Sequence, residues 1–301
     1  MMRAVRLHPP GGIDTLSVDE IEVPEPGPGE ALVRVHAAAI TRDELDWPTD
    51  RIPAIVSYEL SGVVDEVAGD VGDLAIGDEV FALSPFDRDG VAAEDAVVPA
   101  AFLAPKPHGL SHVESAALPL AGLTAWQGLF VHGELQPNQR VLIIGATGGV
   151  GHLATQLAIW RGAHVIGTAS AATAALAREF GAEQVLDPTG PFVGRVEPVD
   201  LVFGTVGGDA LVWSADVLRE GGRLVAVAEE PPPEIAERVD TTYFVVEPDR
   251  QQLVELAKLA NDGILRPAID SVFPLKDARG AFERVMASGK RGKVVIEVNH
   301  A

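Results

Sequence analysis

The chain has 301 residues, with 23 Lys and Arg against 44 Asp and Glu, no cysteine, and a formal net charge of −21. The lack of cysteine excludes disulfides, thiolate nucleophiles and cysteine-ligated zinc. The acidic surface disfavours nucleic acid and anionic lipid as partners. No apolar run approaches the roughly 18 residues of a bilayer-spanning helix, and residues 1–12 lack the apolar stretch of a signal peptide. We therefore expect a cytoplasmic protein without membrane contacts.

Residues 1–118 are predicted to be rich in β-strand. The strand candidates, which Gly-Asp turns separate, are ALVRVHAAAI (31–40), SGVVDEV (61–67) and DEVFAL (78–83). The character then changes to helix, because Ser111 is followed three residues later by Glu114, which is the pattern of a capping box.

From residue 140 onward, strands and helices alternate. The predicted strands are RVLIIGA (140–146), AHVIGTAS (163–170), EQVLDP (183–188), VDLVFGT (199–205) and GRLVAVA (222–228). The helices between them, such as ALVWSADVLREG (210–221), each end at Gly. This alternation predicts an α/β fold with a doubly wound, parallel Rossmann sheet and right-handed crossovers. A further helix is predicted at 251–263, and the tail 267–301 is predicted to form a strand, a helix and a strand.

A glycine-rich turn, ATGGVG (146–151), connects the first of these strands to a helix. Ala146, Gly148 and Gly151 take the three small-residue positions of the dinucleotide-binding fingerprint, which allow a tight turn, close approach to a pyrophosphate and close helix packing. The remaining residues of the turn, also predicted to contact the cofactor, are Thr147, Gly149 and Val150. Because the N–H groups of the following helix would face the phosphates, this context predicts dinucleotide binding.

The end of the second strand of this unit selects the cofactor. An NAD site has Asp or Glu there, whereas this chain has Ser170 and no acidic residue until Glu179. Ser170 can donate to a 2′-phosphate that a carboxylate would repel, so NADPH is the expected cofactor. Candidates for a cation beside that phosphate are Arg178, Lys290, Arg291 and Lys293. Each could also be a solvated surface charge, and Arg291 is the one we assign to the cofactor.

Several segments together carry a family resemblance. They are RVHAAAITRDELDW, SYELSGVV, GDEVFAL, ALPLAGLTAW, VLIIGATGGVGHLATQLA, VFGTVGG, GGRLV, TYFVVEPD and RGKVVIEV. The chain resembles the medium-chain dehydrogenases/reductases over essentially its whole length, and within them the zinc-free quinone oxidoreductases and zeta-crystallin. The resemblance implies a GroES-like catalytic domain formed by residues 1–118 and 267–301, a Rossmann domain (119–266) inserted between them, and an active site in the cleft.

The same resemblance implies residues at the nicotinamide end of the cofactor. They are Thr124, Val206, Phe244, Val245 and Val246. It also implies a homodimer joined through the edges of the two Rossmann sheets. The apolar run TTYFVV (241–246) agrees with that expectation, because it lies near the expected sheet edge and would otherwise be exposed.

Zinc-containing members of this family hold a catalytic metal at three positions, which correspond here to Thr41, Tyr58 and Ala121. All three ligands are replaced, so we expect neither a tetrahedral zinc site nor metal-assisted alcohol oxidation. What remains is hydride transfer from NADPH to a quinone or an α,β-unsaturated carbonyl. Tyr58 and Thr41 are then the candidate catalytic residues, as donors to the oxygen that gains negative charge. Glu59 corresponds to an acid that the family retains behind the active site, and we expect it to be structural.

Three alternatives stay open. Tyr58 could line the site by packing alone. The protein could be an enoyl reductase of a biosynthetic pathway, because the segment 43–57, expected to form part of the substrate pocket, is short. It could also be a non-catalytic, crystallin-like protein that binds NADPH.

Overall fold

The computed structural model of the protein describes residues 1–47 and 50–298. Its strands are β1 (Met2–Leu7), β2 (Leu16–Ile21), β3 (Glu30–Ile40), β4 (Ala54–Ile55), β5 (Glu59–Val67), β6 (Glu79–Leu83), β7 (Asp95–Pro99), β8 (Ala104–Pro105), β9 (Arg140–Ile144), β10 (His164–Thr168), β11 (Gln184–Leu186), β12 (Val199–Gly204), β13 (Leu218–Ala226), β14 (Asp240–Tyr243), β15 (Ile269–Pro274) and β16 (Lys293–Glu297). Its α-helices are α1 (His112–Ala116), α2 (Pro119–Trp126), α3 (Gly151–Trp160), α4 (Ala174–Glu179), α5 (Asp209–Ala215), α6 (Pro233–Ala236), α7 (Arg250–Asn261) and α8 (Ala278–Met286). A π-helix, Gln127–His132, continues α2.

The chain divides into two compact units. The first comprises residues 1–120, 247–263 and 267–301, and the second comprises residues 121–246 and 264–266. None of the helices formed by the described residues has the length and apolar character that crossing a bilayer requires.

Helix α7 groups with the first unit, whereas the division drawn from the sequence placed it in the segment 119–266. The side chain of Asn261 accepts a hydrogen bond from the Gly109 N–H at 3.3 Å. At the other end of the helix, Arg250 forms an ion pair with Asp73. These contacts, which no local sequence pattern indicates, tie the helix to the β-rich unit. The sequence-based domain boundaries stay a prediction.

The first unit is built on a seven-stranded sheet with the order β15-β16-β3-β5-β6-β8, in which β7 also pairs with β3. All of these pairs are antiparallel except β15 with β16. The second half of the long strand β3, Ala37–Ile40, is buried and lies between β16 and β5 in the sheet. Phe282 of α8 is fully buried in the core that this sheet covers. The unit has the predicted GroES-like, β-rich character.

The second unit contains a six-stranded sheet with the order β11-β10-β9-β12-β13-β14. Every pair is parallel. Counted from β9, this is the doubly wound order of dinucleotide-binding proteins, in which the chain reverses its direction of travel between β9 and β12. Ligands of such sheets bind at the carboxyl ends of the strands beside that reversal. The predicted α/β class is therefore confirmed.

One predicted helix is shorter than expected. The segment 210–221 was predicted to be helical throughout, but α5 ends at Ala215 and β13 begins at Leu218. Leu218 pairs with Val199 of β12, so the end of the segment extends the sheet. A backbone pairing to a buried strand outweighs the modest helix propensity of these residues.

Candidate cofactor and active site

The glycine turn that follows β9 is packed too tightly for larger residues. A Cβ atom on Gly151, the first residue of α3, would lie 2.0 Å from the carbonyl oxygen of Gly145. A Cβ atom on Gly167 of β10 would lie 2.6 Å from the Cβ atom of Ala146. Gly145 itself has a φ of 81°, in the left-handed region that favours glycine. The turn thus brings the N-terminus of α3 close to the carboxyl end of β9, as phosphate binding requires.

The turn is held to the neighbouring strand by Thr168, the last residue of β10. The Thr168 hydroxyl accepts a hydrogen bond from the Gly145 N–H at 2.8 Å. The Thr168 carbonyl accepts one from the Ala146 N–H at 2.9 Å. His152, on the first turn of α3, donates from Nδ1 to the Gly148 carbonyl at 2.9 Å and is fully buried, so its role there is to hold the turn.

Hydroxyl groups meet just beyond the end of β10, where the sequence analysis placed the 2′-phosphate. Thr147 Oγ1 donates to Thr173 Oγ1 at 3.2 Å. Ser170 Oγ lies 3.2 Å from the same Thr173 atom, while the Ser170 residue is exposed. The structure therefore joins Ser170 to the glycine turn through Thr173, which the sequence analysis missed. The signal was its spacing, since a Thr three residues after a Ser can close a turn through side chains.

Four of the five residues predicted for the nicotinamide end follow the carboxyl ends of two other strands of the same sheet. Val206 follows β12 and is 50% exposed, and a Cβ atom on Gly145 would lie 2.6 Å from it. Phe244 follows β14, is buried, and packs on the ring of His132 with 4.3 Å between ring centroids. Val246 is also buried, whereas Val245 is 64% exposed. Thr124 lies buried in α2.

The cations considered for the 2′-phosphate have different surroundings. Arg291 is exposed, and its N–H donates to Asp270 Oδ1 at 2.9 Å in the first unit. Arg178 is exposed on α4 in the second unit, which also contains Ser170. Lys293 is buried and forms an ion pair with Glu59 at 2.5 Å, so it is not a solvated surface charge. Burial, with Lys293 and Arg42 nearby, lowers the pKa of Lys290 to about 8.

Tyr58 is enclosed by aromatic rings in the first unit. Its ring centroid lies 5.8 Å from that of Trp47 and 5.1 Å from that of Phe86. Its hydroxyl oxygen accepts a hydrogen bond from Arg51 Nη2 at 3.1 Å, which leaves the O–H proton for donation. Burial raises the pKa of Tyr58 above its usual range, so the hydroxyl keeps its proton. Tyr58 is only 1% exposed, and this packing is compatible with either a lining or a donor role.

Thr41, at the end of β3, makes two polar contacts. Its N–H donates to Glu44 Oε2 at 2.9 Å, and its hydroxyl oxygen accepts from Lys293 Nζ at 3.1 Å. The other Glu44 oxygen accepts the Ser57 N–H at 2.5 Å. Glu44 thus links the two segments that carry Thr41 and Tyr58, a connection that the sequence analysis missed. The one sequence signal for this link is a Glu three residues after Thr41, a spacing at which a carboxylate can accept the Thr41 N–H.

Both carboxyl oxygens of Glu59 have partners, which agrees with the structural role expected for it and leaves that role a prediction. Its Oε2 accepts the N–H of Leu120 at 2.8 Å, and its Oε1 pairs with Lys293. Glu59 and Lys293 are 0% and 4% exposed. A buried ion pair of this kind is costly to break on one side only, because the remaining charge has no water to solvate it.

Two family models match the chain, "Alcohol dehydrogenase GroES-like domain" over residues 27–108 and "Zinc-binding dehydrogenase" over residues 180–296. The NADPH-dependent alkenal/one oxidoreductase of Arabidopsis thaliana chloroplasts is 32% identical to this chain over 95% of it and 77% of that protein. The chain belongs to the medium-chain dehydrogenase/reductase superfamily. It falls in the quinone oxidoreductase-like group, as the resemblance predicted.

Solved structures agree with this assignment. The quinone oxidoreductase from Coxiella burnetii is 32% identical and superimposes with a TM-score of 0.92, covering 99% of each chain. The mycobacterial Rv1454c complexed with NADPH is 26% identical, with a TM-score of 0.89, covering 99% of this chain and 100% of that one. The medium-chain dehydrogenase/reductase described here therefore belongs to a family of oxidoreductases that bind NAD(P)H.

At the three positions that the resemblance assigns to zinc ligands, this medium-chain dehydrogenase/reductase has Thr41, Tyr58 and Ala121, none of which supplies a thiolate or an imidazole. Thr41 and Tyr58 lie in the first unit, and Ala121 is a buried alanine at the start of the second. Across residues 1–47 and 50–298, no three His, Asp or Glu side chains are grouped so that they could hold a metal ion. Independence from zinc stays a prediction.

We expect the purified enzyme to contain no stoichiometric zinc and to keep its turnover after treatment with a chelator. The reason is that hydroxyl and methyl groups at the three ligand positions do not replace thiolate or imidazole ligands. Elemental analysis of the protein, combined with activity before and after chelation, measures this. Stoichiometric zinc whose removal abolishes turnover would contradict the expectation.

Proposed function

We propose that the protein is an NADPH-dependent oxidoreductase that transfers a hydride to a quinone or to the β-carbon of an α,β-unsaturated carbonyl, without zinc. The observation that carries the proposal is the presence of two ordered hydroxyl groups, those of Thr41 and Tyr58, at positions corresponding to zinc ligands. Relatives named as quinone and alkenal/one oxidoreductases support this substrate class.

NADPH supplies the hydride in this reaction. Addition of hydride to a conjugated carbonyl or a quinone moves negative charge onto oxygen, so the protein needs a hydrogen-bond donor at that oxygen. Tyr58 keeps its proton and can donate it in a hydrogen bond, because Arg51 already satisfies the Tyr58 oxygen as an acceptor. Thr41 can do the same, because Lys293 satisfies its oxygen. A saturated alcohol would instead need a base or a metal to remove its proton.

NADPH is proposed over NADH because the group at the end of β10 is polar and uncharged. Ser170, Thr173 and Thr147 offer hydroxyls there, and no carboxylate replaces Ser170. Gly148 and the N-terminus of α3 are proposed to receive the pyrophosphate, and Val206, Phe244, Val245 and Val246 the nicotinamide end. Arg291 is proposed as a cation for the 2′-phosphate.

The test is steady-state oxidation of NADPH against a panel of quinones, enones, enoyl thioesters and saturated ketones. Turnover of quinones or enones with saturated ketones inert supports the proposal. Turnover of enoyl thioesters alone would instead identify an enoyl reductase. Tight NADPH binding without turnover of any member would identify the non-catalytic alternative.

We expect Tyr58→Phe to lower the turnover number by about tenfold or more, with NADPH affinity little changed. The substitution keeps the aromatic ring beside Trp47 and Phe86 and removes only the hydroxyl group, so a loss of turnover can be attributed to the missing donor and not to altered packing. The measurement is kcat and KM on the best substrate, together with NADPH binding. Full turnover in both Tyr58→Phe and Thr41→Val would show that the two hydroxyls only line the site.

We expect a homodimer joined through the free edge of β14, the last strand of the sheet. Tyr243, in this strand, and Val245, just after it, are 45% and 64% exposed, and β13 is the only strand of the described residues that pairs with β14. Light scattering at micromolar concentration measures the mass, and Tyr243→Lys should weaken the dimer. A monomer in the parent protein would contradict the expectation. The cytoplasmic location likewise stays a prediction.

A further inference from the structure

A small network of buried charges lies behind Thr41 in the first unit. Lys293 of β16 forms its ion pair with Glu59 of β5, and Glu44 follows Thr41 after the end of β3. Glu44, Glu59 and Lys293 are each less than 5% exposed, at 1%, 0% and 4%. Lys293 thus pairs with one buried carboxyl group, that of Glu59, and acts electrostatically on a second, that of Glu44. Burying such charges costs free energy, and a fold could pack apolar residues in the same space.

The network makes two contacts with a single residue, Thr41. Glu44 accepts the Thr41 N–H and fixes its backbone, while Lys293 donates to the Thr41 hydroxyl oxygen at 3.1 Å. A hydroxyl has one proton and accepts through its lone pairs. Within the described residues, the structure gives the Thr41 hydroxyl no acceptor for its own proton. The ammonium group therefore leaves that proton for an outside acceptor and, by its charge, strengthens the hydroxyl as a donor.

We propose that Lys293 is a positioning residue that orients and polarises the Thr41 hydroxyl toward the substrate oxygen. This rests on the proposed function for the identity of the outside acceptor. Lys293 itself touches no substrate in this proposal and acts through Thr41. The ordering of the hydroxyl before substrate arrives is what makes such a donor effective.

The protonation state of Glu44 is expected to make this network sensitive to pH. Burial raises the pKa of Glu44 to about 8, against the opposing influence of the Thr41 and Ser57 N–H groups and of Lys293. The charge of Glu59 raises it further. When Glu44 loses its proton, a second negative charge acts on Lys293, and we expect the ammonium group to polarise Thr41 less. The other charged or titratable neighbours are Tyr58, whose pKa Glu44 affects, and Lys290, whose pKa Lys293 affects.

The raised pKa of Glu44 also makes the stability of the folded protein depend on pH. The folded-state pKa of Glu44 lies above its unfolded value of 4.5, so the folded protein binds more protons between the two values. The contribution of Glu44 to stability is present below pH 4.5 and is lost as pH rises through about 8. Turnover is expected to fall over the upper part of this same range, because the ionised form weakens the donor.

The experiment is a double-mutant cycle with Lys293→Met and Thr41→Val, measured as kcat on the best enone or quinone. Each single variant is expected to lower kcat by about tenfold, and Lys293→Met is expected to add little in the Thr41→Val background. Lys293→Arg should recover part of the loss. Independent, multiplicative losses in the double variant would overturn the proposal.

Two controls separate this role from a merely structural one. Lys106 is also buried and pairs with Glu79 at 3.4 Å, so Lys106→Met removes a comparable lysine without touching Thr41, and its kcat should equal that of the parent. If Lys293→Met fails to fold because Glu59 is left unpaired, the cycle is repeated with Glu59→Gln present throughout. An equal kcat loss in Lys106→Met would overturn the proposal.

The pH profile tests the contribution of Glu44. The parent should lose kcat as pH rises through about 8, and Glu44→Gln should remove that limb. A limb that persists unchanged in Glu44→Gln would overturn the pH dependence inferred for this network. A readout without catalysis is the ¹⁵N resonance of the Lys293 ammonium group, which should shift in Thr41→Val. If the parent turns over no substrate, the proposed function fails, while an unshifted resonance would separately overturn the contact on which this inference rests.

Discussion

Gly151→Ala is expected to lower the free energy of unfolding by about 3 kcal/mol, because the added methyl group would overlap with backbone atoms of the glycine turn. The added Cβ atom would lie 2.0 Å from the Gly145 carbonyl oxygen and 3.0 Å from the Ala146 Cα atom. Neither atom belongs to a flexible side chain, so the turn itself must move. Alanine is ordinarily favoured over glycine in a helix by about 1 kcal/mol, which makes a loss of stability here diagnostic of the clash. Urea unfolding measures it.

Gly148→Ala provides a matched control within the same turn. A Cβ atom on Gly148 would meet nothing closer than the Gly145 carbonyl oxygen at 3.4 Å, which is ordinary contact. Stability should therefore change by no more than about 0.5 kcal/mol. The expected effect is on the cofactor, since a side chain here would hold the pyrophosphate away from the backbone, and NADPH affinity should fall by about tenfold or more. Equal stability in the two variants would contradict the steric interpretation of Gly151.

Ser170→Asp is expected to lower the affinity for NADPH relative to NADH by on the order of 100-fold, because a carboxylate would face the 2′-phosphate. The parent protein should prefer NADPH. Ser170 lies exposed beside Thr173, and within residues 1–47 and 50–298 the structure shows it no contact with an ionised side chain that would offset the new charge. Equilibrium binding of both cofactors to the parent and the variant measures the change.

Affinity for NADH is the internal control, because NADH lacks the 2′-phosphate. It should stay the same or improve in Ser170→Asp, whereas a general disturbance of the site would weaken both cofactors. Ser170→Ala removes only one neutral donor and should weaken NADPH binding by a few-fold at most. Equal affinities of the parent for NADPH and NADH would contradict the assignment of Ser170.

The local patterns of the sequence were enough to predict the parallel sheet and the glycine turn. Apolar strands such as Val141–Ile144 form in a buried parallel sheet because their side chains are covered on both faces, and this is visible as a continuous apolar run. The glycine turn was predictable because the small residues at 146, 148 and 151 stand at fixed distances along the chain. The capping box of Ser111 and Glu114 was predicted for the same reason and is present in the structure. Each of these depends on neighbours within a few residues.

The tertiary structure alone decided which distant residues meet. Lys293 is 252 residues from Thr41, and their contact depends on the antiparallel pairing of β16 with β3, which places Val294 opposite Ile40. The contact of Thr173 with Thr147 of the glycine turn depends on the approach of the N-terminus of α4 to that turn after β10. The extent of β13 was likewise set by Val199, which Leu218 pairs with across the sheet. In each case the deciding partner lies outside the few residues that a local pattern covers, and the free energy of burying or pairing with it exceeds the local preference that such a pattern can show.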